Sequence, residues 1–216
     1  MIFINKNQPP DSFNEWCSQS NENWMPTFST LQNPEKRHLL QALVEEQCNI
    51  CCYCNRSIEA LVCPGETRCH IEHFRPRSGW SDLQLNYDNL HASCGRDNNL
   101  GASRTCGHAK GDWFEEDNIV SPLDIGCLDE FIFHETGSVE GSTPRGSATI
   151  EKLNLNDKLL QEGRKRAIEQ IFPDELSHED LTTLLDGLNQ PDHQGKLLAY
   201  TGSLVSVANQ LLLISA

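Results

Sequence analysis

The feature that most restricts how this chain can fold is the run Cys51-Cys52-Tyr53-Cys54. Two thiolates three positions apart on a tight turn make half of a tetrahedral zinc site. A second close pair of cysteines should supply the other half, and the sequence has none with that spacing. Cys94 and Cys106 are the best candidates, because the polar, glycine-containing insert 95–105 can loop out and bring the two sulfurs together. Cys63 and Cys69 are rival ligands, while Cys17, Cys48, Cys52 and Cys127 read as buried thiols. The N-terminal residues lack a basic region followed by an apolar core, so the expected location is cytoplasmic. In a reducing compartment ten cysteines point to metal binding before disulfides. A thioredoxin-like redox role is the alternative for the Cys-x-x-Cys pair, but no βαβ pattern surrounds it.

The second dense stretch is Cys69-His70-Ile71-Glu72-His73-Phe74-Arg75-Pro76. Histidine is the side chain most easily poised as a base or ligand near neutral pH, and a carboxylate beside it can hold a hard cation such as magnesium. On a strand, His70 and Glu72 share one face and His73 takes the other, so Glu72 and His73 straddle the pleat. A metal and a base acting on one phosphate require about that arrangement. Arg75, Arg77 and Lys110 are candidates to hold flanking phosphates. His70 reads either as a metal ligand or as a group that orients one, and His91 as a residue packed near the zinc knuckle.

Charge limits how such a chain meets a polyanion. The net charge is −14, yet residues 51–112 carry seven basic and seven acidic side chains and are neutral. The flanks therefore carry the whole excess and repel nucleic acid. Either the neutral segment alone reaches the substrate, or a basic partner supplies the affinity. Residues 113–135 hold seven acidic side chains and no Lys or Arg, which suits a solvated face or a contact for a basic partner. The most apolar run, 204–214, is interrupted by Ser206, Asn209 and Gln210 and is too short to span a bilayer, so no membrane partner is expected.

Local pattern gives the remaining elements. A short helix is expected near 11–19. Another opens at Pro34 and carries the stripe Leu39, Leu40, Leu43 and Val44. Strands are expected at 58–63 and 69–74, joined by a turn at Pro64-Gly65. Asp88-Asn89-Leu90 reads as a helix start with Asp88 as cap, and a short helix follows Cys106. Phe131-Ile132-Phe133 suggests a strand paired near Val139, and 137–147 a linker or long hairpin. Beyond Ala148 the chain reads as helical. Leu153, Leu160, Ala167 and Ile168 share a face, Ser177 starts a helix, and a final helix spans about 194–214.

The order Cys-x-x-Cys, Glu-His-x-Arg-Pro, Asp-Asn-Leu, Cys, Cys-Gly-His-x-Lys-Gly resembles the HNH endonucleases. Their ββα-metal core is often stapled by four zinc-bound cysteines. The fuller form, from Cys-x-Tyr-Cys through His-Ile-Glu-His-Phe-Arg-Pro, Tyr-Asp-Asn-Leu and Ser-Cys to Lys-Gly-Asp, is similar to the HNH subunit of Septu-type anti-phage systems, which also serves some retrons. The resemblance implies an α+β fold, a zinc-stapled ββα-metal core embedded in a mostly helical chain. It divides the chain into an N-terminal helical and irregular segment (1–47), the nuclease core with its acidic extension (48–136) and a C-terminal helical partner-binding region (148–216). It implies that His73 is the general base, that Glu72 and His108 bind a catalytic Mg2+ or Mn2+, that Asn89 braces the base-bearing loop, and that Cys51, Cys54, Cys94 and Cys106 hold structural Zn2+. Gly107 between Cys106 and His108, and Asp97 where a cysteine would pair with Cys94, depart from the family pattern. The implied activity is hydrolysis of nucleic-acid phosphodiesters, DNA before RNA, by an effector subunit working with an ABC/SMC-type ATPase and, in retrons, with a reverse transcriptase and its RNA–DNA. With an ordinary histidine as base, activity is expected to fall below about pH 6.

Two other readings compete. A zinc deaminase would explain His70-Ile71-Glu72, but it needs its cysteine pair downstream of that element, whereas here the pair lies upstream. A non-catalytic, zinc-stapled binding module explains the cysteines and the acidic flanks but not Glu72 beside His73.

Overall fold

The computed structural model describes residues 1–60, 69–95, 104–172 and 176–214. Among them are seven α-helices and two small antiparallel sheets. The expected strand 58–63 falls partly outside these residues, as do its turn at Pro64-Gly65, the rival ligand Cys63 and most of the 95–105 insert; residues 58–60 are irregular.

The N-terminal helices α1 (Asp11–Cys17) and α2 (Glu35–Glu46) form where expected, and the predicted stripe of α2 is buried. The chain then turns through the cysteine knuckle to β1 (Cys69–His73), which pairs with β2 (Leu90–Cys94) in the register Glu72 opposite His91. The helix expected from Asp88 is only a single 3₁₀ turn, Tyr87–Asn89, and its cap is Asn86, whose side chain accepts the Asp88 N–H. The sequence of β2, Leu90-His91-Ala92-Ser93-Cys94, alternates apolar and polar residues as a strand does, but all five are buried, so the polar members face protein and not solvent.

Gln47 seals the other side of β2. Its amide donates to Ile50 O at 2.9 Å and Ala92 O at 2.8 Å, and its oxygen accepts the Ala92 N–H at 2.7 Å. A buried side chain thus does the work of a third strand, and fixes the end of α2 against the sheet that carries the histidines.

Downstream, α3 (Cys106–Lys110) follows Cys106 as expected, and β3 (Phe131–Phe133) pairs with β4 (Val139–Gly141). Residues 137–147, expected as a linker or long hairpin, supply the turn and second strand of that hairpin and then the start of α4 (Pro144–Lys152), capped by Thr143. Its glycines serve close packing: a Cβ on Gly146 would lie 2.1 Å from Glu130 O. Helices α5 (Lys158–Ile171), α6 (His178–Leu188) and α7 (Thr201–Ile214) complete the chain, α6 opening with a capping box between Ser177 and Asp180. Helix α7 begins later than expected because 197–200 is used to bind the knuckle: Leu197 N–H donates to Cys48 O at 3.0 Å and Tyr200 N–H to Asn55 O at 2.6 Å. The main hydrophobic cluster draws on Leu43, Leu90, Phe133, Leu153 and Tyr200 together. No helix among the described residues is long and apolar enough to cross a membrane.

Arg164 is the largest surprise of the core. It is 1% exposed, donating to Gly137 O at 2.6 Å and Leu155 O at 2.8 Å. Replacing it with Met strands both carbonyls, each costing about 1–3 kcal/mol when buried without a donor. Urea unfolding of Arg164→Met is expected to show a loss of about 3 kcal/mol.

Candidate metal centre and cleft

Three elements deliver the four expected cysteines to one point. Cys51 and Cys54 flank the knuckle turn, Cys94 ends β2, and Cys106 opens α3. All four are buried, and their sulfurs lie within 4.8 Å of one another, with Cys54 and Cys94 at 3.9 Å. A zinc ion bound at about 2.3 Å by tetrahedral thiolates needs sulfur–sulfur edges of about 3.8 Å. The donor set therefore fits a soft or borderline metal such as zinc. The Cys94 N–H, 3.3 Å from Cys51 Sγ, adds a backbone donor to the cage. Cys69, a rival ligand in the sequence, is elsewhere. Its thiol donates to Glu59 O at 3.3 Å, and burial, with the charge of Cys51, pushes its pKa up to about 12.

Beside the cage, Glu72 and His73 share a cleft of about 370 Å³ with Arg77, Ser78, Gly107 and Asp112. Glu72 is 6% exposed. Its Oε1 accepts from Tyr53 Oη at 3.2 Å and from Lys110 Nζ at 2.9 Å, and its Oε2 lies 3.4 Å from His70 Nε2. Burial disfavours the carboxylate, but His70 and Lys110 outweigh burial and hold it below its ordinary range.

His73 is held differently. Its Nε2 lies 3.0 Å from Gln84 O, and the Phe28 ring meets it edge-on with centroids 4.4 Å apart. A carbonyl can only accept, so Nε2 carries the proton and Nδ1 is the basic nitrogen. Burial pushes the imidazole pKa down to about 4, against the opposing pull of the Gln84 carbonyl. Asn89 ties down the loop between them: its amide donates to Arg75 O at 3.0 Å and Leu83 O at 3.1 Å, and its oxygen accepts the Arg75 N–H at 2.7 Å.

Two expected phosphate contacts are engaged within the protein, and the buried one, Lys110, is a correction. Lys110 is 3% exposed, and its ammonium is spent inside the protein, on Glu72 and on the carbonyls of His73 and Gly111 at 3.0 and 3.4 Å. Arg75 pairs with Glu116 at 2.5 Å and lines a separate cavity with Phe74, Asn89 and Phe114. Arg77 alone of the three stays on the cleft.

His108 lies on α3 with its ring stacked on His70, centroids 4.3 Å apart. Among the described residues the four cysteines are the one group of three or more metal-ligating atoms that lie together. Glu72, His70 and His108 thus form a chain of two contacts and do not close on one point. His91 lies opposite Glu72 with its ring edge-on to Phe74 at 6.4 Å, fully buried, and neither ring nitrogen has a partner among the described residues; the knuckle meets the strand beside it, where Cys52 N–H donates to Ala92 O at 3.1 Å.

The structure gives Gly107 a reason. A Cβ there would sit 2.3 Å from Glu72 Oε2 and 2.8 Å from His70 Nε2. Gly107→Ala is expected to push the carboxylate aside and cost about 1–3 kcal/mol, read as a lower melting midpoint. Tyr53 and Phe28 were missed as site residues. The position of Tyr53 between cysteines was the one available signal; Phe28 had none.

No protein-family model matches the chain, and no curated protein matches it.

Proposed function

We propose that the chain is a metal-dependent HNH-type endonuclease that hydrolyses phosphodiester bonds, with DNA as the favoured substrate. One observation carries this reading: adjacent residues of β1, a buried carboxylate and a histidine kept neutral by burial, open onto the same cleft. His73 Nδ1 takes the proton of a water, the resulting hydroxide attacks phosphorus, and the bond to the leaving oxygen breaks. Glu72, with His70 or His108, would hold a magnesium or manganese ion, which when bound neutralises charge on the phosphate and the leaving oxygen. Asn89 keeps Arg75 and Leu83 in place, so that the loop bearing Gln84 can orient His73. Arg77 is the cleft's own phosphate contact. The thiolate cage takes zinc, which holds α3 to the sheet and adds no chemistry of its own.

The charge supports a dependent enzyme. A chain of −14 whose cleft holds a single arginine binds a polyanion weakly. A partner, of the ABC/SMC ATPase type in an anti-phage complex and with a retron reverse transcriptase in some settings, would bring the DNA; segment 113–135 and the C-terminal helices are the surfaces offered to it. The test is a supercoiled-plasmid assay of the zinc-loaded chain with magnesium. Nicking at low salt that fades at physiological salt, and returns with the co-purified partner, is the expected result. Efficient degradation by the chain alone at physiological salt contradicts the dependence. DNA capture with the partner but no cleavage supports a binding module instead.

A further inference from the structure

The two halves of the centre touch through a residue that belongs to neither. Tyr53 is fully buried between Cys52 and Cys54, and its hydroxyl donates to Glu72 Oε1 at 3.2 Å. Phenylalanine would fill the same volume, so the hydroxyl is specific to the carboxylate. A second path runs beside it: Ser93 Oγ lies 3.8 Å from Cys51 Sγ and accepts the Gly107 N–H at 3.2 Å, and Gly107 abuts Glu72 Oε2. Lys110 reaches the same Oε1 from α3, while Oε2 faces His70. Turning the carboxylate about its Cγ–Cδ bond would break both bonds to Oε1.

We propose that Tyr53 is a positioning residue of the cleft. It pins Glu72 by Oε1 so that Oε2 alone is presented to a divalent cation, and it thereby makes filling of the cysteine cage a condition for that presentation. Tyr53 sits on the knuckle turn between cage cysteines Cys51 and Cys54, so a metal bound there would act on the cleft as well as on the fold. This rests on the reading of Glu72 as the cation ligand.

The experiment uses the full chain loaded with zinc, and compares wild type, Tyr53→Phe and Glu72→Gln by calorimetric titration with Mn2+. Groups that orient a metal ligand typically contribute about 10- to 100-fold in affinity. Tyr53→Phe is expected to keep its zinc and its melting behaviour while binding Mn2+ weaker by about that factor, and Glu72→Gln to lose Mn2+ binding. Unchanged Mn2+ affinity in Tyr53→Phe overturns the proposal and leaves Glu72 as ligand. Unchanged affinity in Glu72→Gln overturns the reading beneath it. Where Tyr53→Phe fails to retain zinc, cadmium-113 in the wild-type cage decides. Its resonance is expected to move on adding Mg2+ to wild type but not to Glu72→Gln, and a resonance indifferent to Mg2+ in wild type overturns the proposal.

Discussion

His73→Ala is expected to abolish cleavage of DNA, with a rate loss of roughly 10²–10⁴-fold if His73 is the general base. Folding should survive, because the substitution removes one hydrogen bond to Gln84 O, worth about 1 kcal/mol. The pH profile makes the prediction specific. An ordinary histidine would lose activity below about pH 6, but burial pushes this one down to about 4. A cation on Glu72 would push it the same way. The limb assigned to His73 should therefore stay flat through pH 5. Stability should show the converse. The unfolded chain takes up this proton at about pH 6.5 and the folded chain only at about 4, so the protein binds fewer protons than its unfolded form in between. The contribution is intact above pH 6.5 and is lost as pH falls toward 4, on the order of 3 kcal/mol at most. His73→Ala should flatten that slope, measured by urea unfolding at a series of pH values. A wild-type activity limb near pH 6.5 would contradict the burial argument.

Metal removal should have the largest effect on the fold. Structural zinc contributes about 10–16 kcal/mol of apparent binding free energy in small zinc domains, as much as the whole stability of about 5–15 kcal/mol of a typical domain. The cage joins three elements, the knuckle, the end of β2 and the start of α3, whose other ties are a few hydrogen bonds such as Cys52 N–H to Ala92 O and Gly107 N–H to Ser93 Oγ. A strong chelator, or Cys106→Ala, is expected to release α3 and with it Gly107, His108 and Lys110. Circular dichroism should then lose signal, and limited proteolysis should cut near the knuckle. Cys69→Ala is the control. Its sulfur lies outside the cage, so zinc content should not change. Retained structure after complete zinc removal would show that the cage is incidental to folding.

Much of the site was legible in the sequence because its residues cluster along the chain. The knuckle cysteines, the strand carrying Glu72 and His73, and the capping box at Ser177 each follow from local pattern. What escaped depended on contacts between distant positions. Lys110, next to a glycine in a polar stretch, reads as a phosphate contact, and only the fold turns it inward onto Glu72. Tyr53 carries no role in the local pattern, and only β1 brings Glu72 to its hydroxyl. Strand β2 escaped because Asp88-Asn89-Leu90 reads as a helix start, although Leu90-His91-Ala92-Ser93-Cys94 alternates apolar and polar residues as a strand does. Arg164 could have been found: it stands four residues from both Leu160 and Ile168, on the buried face of α5, although Lys165 and Arg166 beside it suggest solvent.

The central claim is that the Glu72–His73 cleft hydrolyses phosphodiesters. The most direct measurement is turnover of a small chromogenic diester, bis(p-nitrophenyl) phosphate, by the zinc-loaded chain with Mn2+, since so small a substrate removes the need for a partner to recruit DNA. The account predicts slow, Mn2+-dependent turnover that disappears in His73→Ala while zinc content stays at one ion per chain. No turnover in wild type with its zinc in place, or equal turnover in His73→Ala, would contradict it.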